Sequence, residues 1–238
     1  MVSSVAPPLD NCLTRNEWIC GRYYSTRASE LTDALQQHVE IVLISVLLGL
    51  VIAAPLALLA RRYRKLEGLI VGTTTAIYTI PSLALFSLLV PWTGLGRRTV
   101  VIGLALYSLT ILVRNMIEGL RAVPADVREA ALGMGYGRGR LLWRVELPLA
   151  LPTIMAGLRV ATVSTVALTT VGAILDYGGL GQLIVDGTTT TFHAQVLAAT
   201  VLVVALAVVL DLLLVGVQRV LTPWTRRRTT SAEAVVPG

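Results

Sequence analysis

Apolar residues fall in long unbroken blocks along this chain. A helix that crosses a bilayer needs roughly 20 mostly apolar residues. Five stretches reach that length: 39–60 (VEIVLISVLLGLVIAAPLALLA), 68–90 (which contains TTTAIYTIPSLALF), 99–120, 150–174 and 196–218. The pattern predicts an all-α polytopic membrane protein with five transmembrane helices. A β-barrel would instead show short alternating segments. The blocks divide the chain into an N-terminal segment (1–38), a membrane domain (39–220) and a C-terminal tail (221–238) rich in Arg, Thr, Ser and Ala. That tail is expected to fray.

The polar residues between the blocks set the orientation. Arg61, Arg62, Arg64 and Lys65 follow the first span, and Arg121, Arg128, Arg138, Arg140 and Arg144 lie between the third and fourth. Arg226, Arg227 and Arg228 follow the fifth. The opposite side holds Arg15, Arg22, Arg27, Arg97 and Arg98, of which the last two fit least well. By the positive-inside rule the richer face is cytoplasmic. The N-terminus is then outside the cell membrane and the C-terminus inside.

Composition agrees with this picture. Of 238 residues, 55% are hydrophobic and 14% charged, against about a quarter charged in soluble domains. Mean hydropathy is +0.73. The net charge of +6 reads as loop charge beside lipid rather than as a nucleic-acid surface. The first 30 residues hold no apolar core of signal-peptide length.

On the outer side, Cys12 and Cys20 enclose LTRNEWI. A disulfide would staple a small surface loop in an oxidising space, and two unpaired thiols in a mobile tail are the alternative. From Ser29 as N-cap, ASELTDALQQH reads as an amphipathic helix entering the membrane.

One insert does not suit lipid. Residues 129–152, EAALGMGYGRGRLLWRVELPLALP, carry glycines at 133, 135, 137 and 139 and arginines at 138, 140 and 144. Pro124 is suited to the first turn of a helix over PADVREAALG. The glycines then break that helix. A second helix, RLLWRVEL, places Leu141, Leu142 and Val145 on one face, with Arg140, Arg144 and Glu146 mostly on the other. Pro148 and Pro152 mark its exit. The result is a helical hairpin over about 121–149, presenting Glu129 beside Ala130 and Ala131. Such a tip suits docking of a partner; arginines resting on anionic headgroups are the alternative.

Glu129-Ala130-Ala131, three residues, Gly135, nine residues and Val145-Glu146-Leu147-Pro148 resemble the EAA loop of ATP-binding-cassette importer permeases, E-A-A-x3-G-x9-I-x-L-P. Val145 for isoleucine is the one departure. The resemblance spans about residues 30–220 and implies the type I importer permease fold with a cytoplasmic coupling hairpin. It also implies that Glu129, Ala130, Ala131, Gly133, Gly135 and Pro148 form the contact with a separate ATPase. TIPSLALFSLLVP (79–91) and VGAILDYGGLGQLI (171–184) resemble permeases for glycine betaine, choline, carnitine and proline betaine. Permeases for methionine, sulfonates or phosphonates share the architecture. The partners implied are two ATPases, a second permease subunit (itself or a paralogue) and an extracytoplasmic solute-binding protein.

The chain is not expected to be an enzyme or to hold a cofactor. A P-loop needs Gly-Lys-[Ser/Thr], whereas the single lysine, Lys65, precedes Leu66. ATP and magnesium therefore belong to the partner. His38 and His193 are far apart and no HExxH occurs, so no metal site is expected. Candidate path residues are Tyr78, Thr79, Pro81, Ser82, Phe86, Tyr107, Thr165 and Thr169; hydroxyls suit a polar solute, and aromatic faces suit quaternary ammonium. Ionisable residues in spans are usually paired or functional. Asp211 and Arg159 are expected to form a structural pair, with Arg114 as the other candidate partner, although Arg114 and Glu118 are also spaced i, i+4. An intramembrane enzyme and a non-transporting membrane anchor for a cytoplasmic ATPase are the rival functions.

Overall fold

The computed structural model describes residues 11–224, and the expected C-terminal tail lies almost wholly outside them. The described residues fold into ten α-helices: α1 (Gly21–Thr26), α2 (Ala28–Arg62), α3 (Arg64–Thr79), α4 (Ser82–Thr93), α5 (Arg97–Arg121), α6 (Ala125–Gly133), α7 (Arg138–Leu141), α8 (Leu147–Thr169), α9 (Leu180–Thr189) and α10 (His193–Leu221). A π-helical turn, Leu142–Glu146, joins α7 to α8, and a 3-10 turn, Thr170–Leu175, follows α8. Four helical stretches are long and apolar enough to cross a membrane: Ala28–Arg62, Arg97–Arg121, Arg138–Leu175 and His193–Leu221. The bent pair α3 and α4 makes a fifth if counted as one span.

Several boundaries differ from the sequence expectation, each for a local reason. The amphipathic segment and the first span are one helix of 35 residues, about 52 Å long at 1.5 Å per residue. Ser29 lies inside its first turn rather than capping it. The second span is broken, with α3 and α4 bent by 101°. Ile80, the residue before Pro81, takes an extended conformation (φ −68°, ψ 127°), because the proline ring disfavours a helical residue ahead of it. The fourth span, expected from residue 150, is part of a longer helical stretch, Arg138–Leu175, that passes through Pro148 and Pro152. Pro148 directly follows the π turn, where the regular i to i−4 ladder is already interrupted and its missing N–H is accommodated. Helix α9 was not foreseen as a separate element.

The chain forms two compact units. The first comprises residues up to Ile44, Ser82–Leu104 and Val166–Ala207. One of its cores joins Tyr23, Leu31, Leu180, Leu183, Ala194 and Ala198; another joins Ile41, Phe86, Val100, Leu104 and Leu175. Cys12 and Cys20 are bonded, with Cα atoms 5.5 Å apart. This closed loop is tied down by Asn16, whose Nδ2 donates to Thr191 O at 2.7 Å and whose Oδ1 accepts from His193 N at 2.9 Å. Trp18 stacks on His193 with centroids 4.3 Å apart. The Gly178-Gly179-Leu180-Gly181 passage runs close to neighbouring backbone. Gly179 has φ +55°, and a Cβ there would lie 2.7 Å from the backbone nitrogen of buried His38.

The second unit comprises Ser45–Pro81, Ala105–Thr165 and the residues from Val208 onward. Its core joins Ala53, Ala57, Leu109, Leu112, Val113, Met116 and Ala161. Small residues let its helices cross closely, as expected where lipid supplies no hydrophobic drive between helices. A Cβ on Gly49 would meet Ser108, one on Gly119 would lie 2.9 Å from Ala150 O, and one on Gly157 would strike Asn115.

Candidate functional site

The hairpin is built from α6, a glycine-rich turn, α7 and the π turn. Pro124 precedes α6 with an extended ψ of 143°. Of the four glycines only Gly135 has a positive φ, +82°. The turn closes there through Gly135 N donating to Leu132 O at 2.9 Å and Tyr136 N donating to Ala131 O at 3.1 Å. Gly133 ends α6, and Gly139 lies within α7 rather than breaking a helix. Glu129 and Ala130 are exposed, while Ala131 turns inward and is buried. The exposed tip is therefore an acid and one small side chain, with the second alanine packed beneath.

Glu146 is the main departure from the amphipathic expectation. It is buried, 1% exposed, rather than set on the polar face with Arg140 and Arg144. Its carboxylate pairs with Arg61 in the last turn of α2 and, at 3.2 Å, with Arg128 Nε in α6. Arg128 also donates through Nη2 to Leu120 O near the end of α5. Close by, Arg121 pairs with Glu67 of α3 and with Glu118. The π turn explains the burial: one extra residue per turn rotates those that follow, so a regular helical wheel misplaces Glu146.

At the broken second span, Ile80 is extended and lies outside both helices, and Tyr107 Oη donates to its carbonyl oxygen. Tyr107 is buried and packs edge-on against Tyr78, centroids 5.6 Å apart, while Tyr78 stays 44% exposed. Thr79 and Pro81 are exposed, and Ser82 is half-buried. Phe86 is enclosed against Gly103, and Thr165 and Thr169 are buried in α8. Thr165 Oγ1 donates to Ala161 O at 2.7 Å, the usual back-bond of a hydroxyl in a span.

Arg159 of α8 meets Asp211 of α10, Nε to Oδ1 and Nη2 to Oδ2, each at 2.8 Å. Arg114 donates instead to Thr75 Oγ1 at 3.0 Å, and Glu118 turns to Arg121. Among the described residues, no group of three or more His, Cys, Asp or Glu side chains is placed to hold a metal ion.

Apolar helices, a proline-broken span and an exposed helical hairpin are the features of a polytopic membrane protein. The chain belongs to the family of binding-protein-dependent transport system inner membrane components, whose profile matches residues 45–227. It is 36% identical over 209 residues to the glycine betaine/carnitine/choline transport system permease protein OpuCD of Bacillus subtilis, covering 87% of this chain and 91% of that one. It is also 36% identical to the osmoprotectant import permease protein OsmW of Salmonella typhimurium, covering 84% and 96%. Among solved structures, an inward-facing form of the MetNI methionine ABC transporter superposes with a TM-score of 0.74 at 22% identity, covering 81% of this chain and 96% of that chain. The chain therefore has the fold of an ABC-transporter permease and is a permease component of such a system.

Proposed function

We propose that this chain forms the membrane path of an importer for a small osmoprotectant, such as glycine betaine, choline, carnitine or proline betaine. The observation that carries this is the hairpin. Glu129 and Ala130 stand exposed on a helix of nine residues, in a chain whose relatives are named osmoprotectant permeases. The partially exposed Tyr78, backed by Tyr107, supports the substrate class, because quaternary ammonium is attracted to aromatic faces.

In this scheme a separate ATPase grips the hairpin from the cytoplasm, and loop charge supports that orientation, with the N-terminus outside. ATP binding draws the hairpins of two permease subunits together. A solute-binding protein then releases its ligand into the opened path. This chain's contribution is mechanical: Glu129, Ala130 and Gly135 form the contact, with Ala131, Gly133 and Pro148 shaping it. Tyr78, Thr79, Pro81, Ser82, Phe86, Tyr107, Thr165 and Thr169 are the proposed path residues, of which Tyr78, Thr79 and Pro81 are exposed.

The test is reconstitution of the complex in vesicles with its ATPase and binding protein. Betaine-loaded binding protein should raise ATP hydrolysis and drive uptake of glycine betaine, choline or carnitine. Uptake of methionine, sulfonates or phosphonates instead would move the substrate class. Stable ATPase binding without any turnover would favour a membrane anchor.

A further inference from the structure

Helix α6 is the part of the hairpin that a motor would push, yet its covalent links are weak levers. On its C-terminal side the chain passes Gly135 in a left-handed turn, then Gly137, before α7 begins. On its N-terminal side three residues, Ala122, Val123 and Pro124, separate it from α5. Whatever moves α6 must reach the long helices through side chains as well.

The strongest such contact is the ion cluster around buried Glu146. One carboxylate, Glu146 at the end of the π turn that leads into α8, holds Arg61 at the end of α2 and Arg128 in the middle of α6, and Arg128 reaches Leu120 O of α5. A carboxylate withdrawn from water is tolerated only when paired, and removing one partner leaves an uncompensated buried charge. Apolar side chains can slide and repack when helices shift. Arg61 and Arg128 each keep about a third of their side chains exposed, but Glu146 does not, so a carboxylate parted from both would be left buried without a partner. The cluster is therefore stiff where the glycine turn is soft.

We propose that Glu146 is a positioning residue for coupling: its carboxylate locks α6 to α2 and α8, so that displacement of α6 moves those helices with it. This rests on the transporter reading given above. The π turn serves the same end by directing Glu146 inward at the junction with α8.

The test uses the full permease–ATPase complex in vesicles with three variants. Glu146→Gln removes the charge and keeps the shape; Glu146→Asp keeps the charge. The triple change Arg61→Met, Arg128→Met and Glu146→Leu removes all three charges and strands none. Nitroxide labels on cysteines introduced at exposed Asp126 and Arg62 report the α6–α2 distance. In the Gln and triple variants, ATPase binding and basal hydrolysis should persist. Their uptake and the stimulation by loaded binding protein should drop on the order of tenfold, and the distance distribution should broaden. The Asp variant should recover part of both. Uptake within about twofold of wild type in the triple variant would overturn the proposal, as would an unbroadened distance in Glu146→Gln, which is measurable without any ATPase. Absence of ligand-stimulated hydrolysis in the wild-type complex would instead remove the transporter reading, and this role with it.

Discussion

Arg159 and Asp211, 52 positions apart, form a bidentate pair in which both carboxylate oxygens accept from one guanidinium at 2.8 Å. The pair joins α8 to α10, and each side chain remains about a third exposed. Charges at membrane depth are retained where they are paired or face a polar space. The fork of arginine fixes the angle between the two helices as well as their distance.

The first prediction concerns that pair. Asp211→Asn keeps the side-chain shape but removes the charge facing Arg159. Monodisperse yield in detergent should fall, while the KM for uptake by the protein that does fold stays near wild type. A normal yield with a selectively raised KM would assign the pair to substrate instead.

Gly135 and Gly139 separate conformation from space. A Cβ at either position meets nothing within 4 Å, but Gly135 has φ +82°. Gly135→Ala should therefore cost about 1–2 kcal/mol in the turn and impair uptake. Gly139→Ala, inside α7, should be neutral or stabilise by about 0.5–1 kcal/mol. Thermal melts of the purified complex and uptake assays check both, and equal effects would refute the conformational account.

Glu129→Lys reverses the exposed charge of α6 without touching the core. Membrane insertion and yield should persist, whereas co-purification of the ATPase and uptake should fall on the order of tenfold or more. Retention of both activities would remove Glu129 from the coupling contact.

Gly157 lies where α8 meets Asn115 of α5, and a Cβ there would come within 2.3 Å of the asparagine Cβ. Asn115 is fixed by its own bond to Ile111 O at 2.8 Å. Gly157→Val should destabilise by about 1–3 kcal/mol through overpacking, seen as a lower melting temperature. Val at Gly216, which faces open space, is the control.

The Cys12–Cys20 bond closes a loop of sequence separation 8. By chain entropy its loss should cost about 2–3 kcal/mol locally. Replacing both cysteines with serine should speed proteolysis around Trp18 while leaving ATPase binding intact. Asn16 and the Trp18–His193 stack alone would have to hold the loop if no change followed.

Much of this protein was legible from local pattern. The apolar blocks marked four long helices and the bent pair because burial in lipid demands length and apolarity that single residues report directly. Pro81 was expected to lie within one continuous span as a path residue, and the 101° bend beside it came only with the structure. The hairpin's helix, its αL turn at Gly135 and its exposed Glu129 all follow from chemistry within a few positions.

Ion pairing was less legible, since partners depend on which helices pack together. The i, i+4 rule offered Glu118 to Arg114, but Thr75 and Arg121 from outside that pairing took their places. Glu146 was placed mostly on the face with Arg140 and Arg144 because a regular wheel assumes 3.6 residues per turn, and the π turn breaks that assumption. Hydroxyl and aromatic residues carried no sign of depth either: Thr165, Thr169 and Phe86 are buried while Tyr78 and Thr79 are exposed.

By itself, then, the amino-acid order determined where the chain is apolar enough to cross lipid, where it must turn, and which short charged segment it leaves exposed. Those are properties of neighbours along the chain, decided by solvation and backbone sterics. Apart from the Arg159–Asp211 pair, which charges meet, which carboxylate is withdrawn from water and which polar side chains remain accessible were decided only by tertiary packing. A pairing energy depends on distances between residues far apart in sequence, and those distances exist only once the helices have assembled.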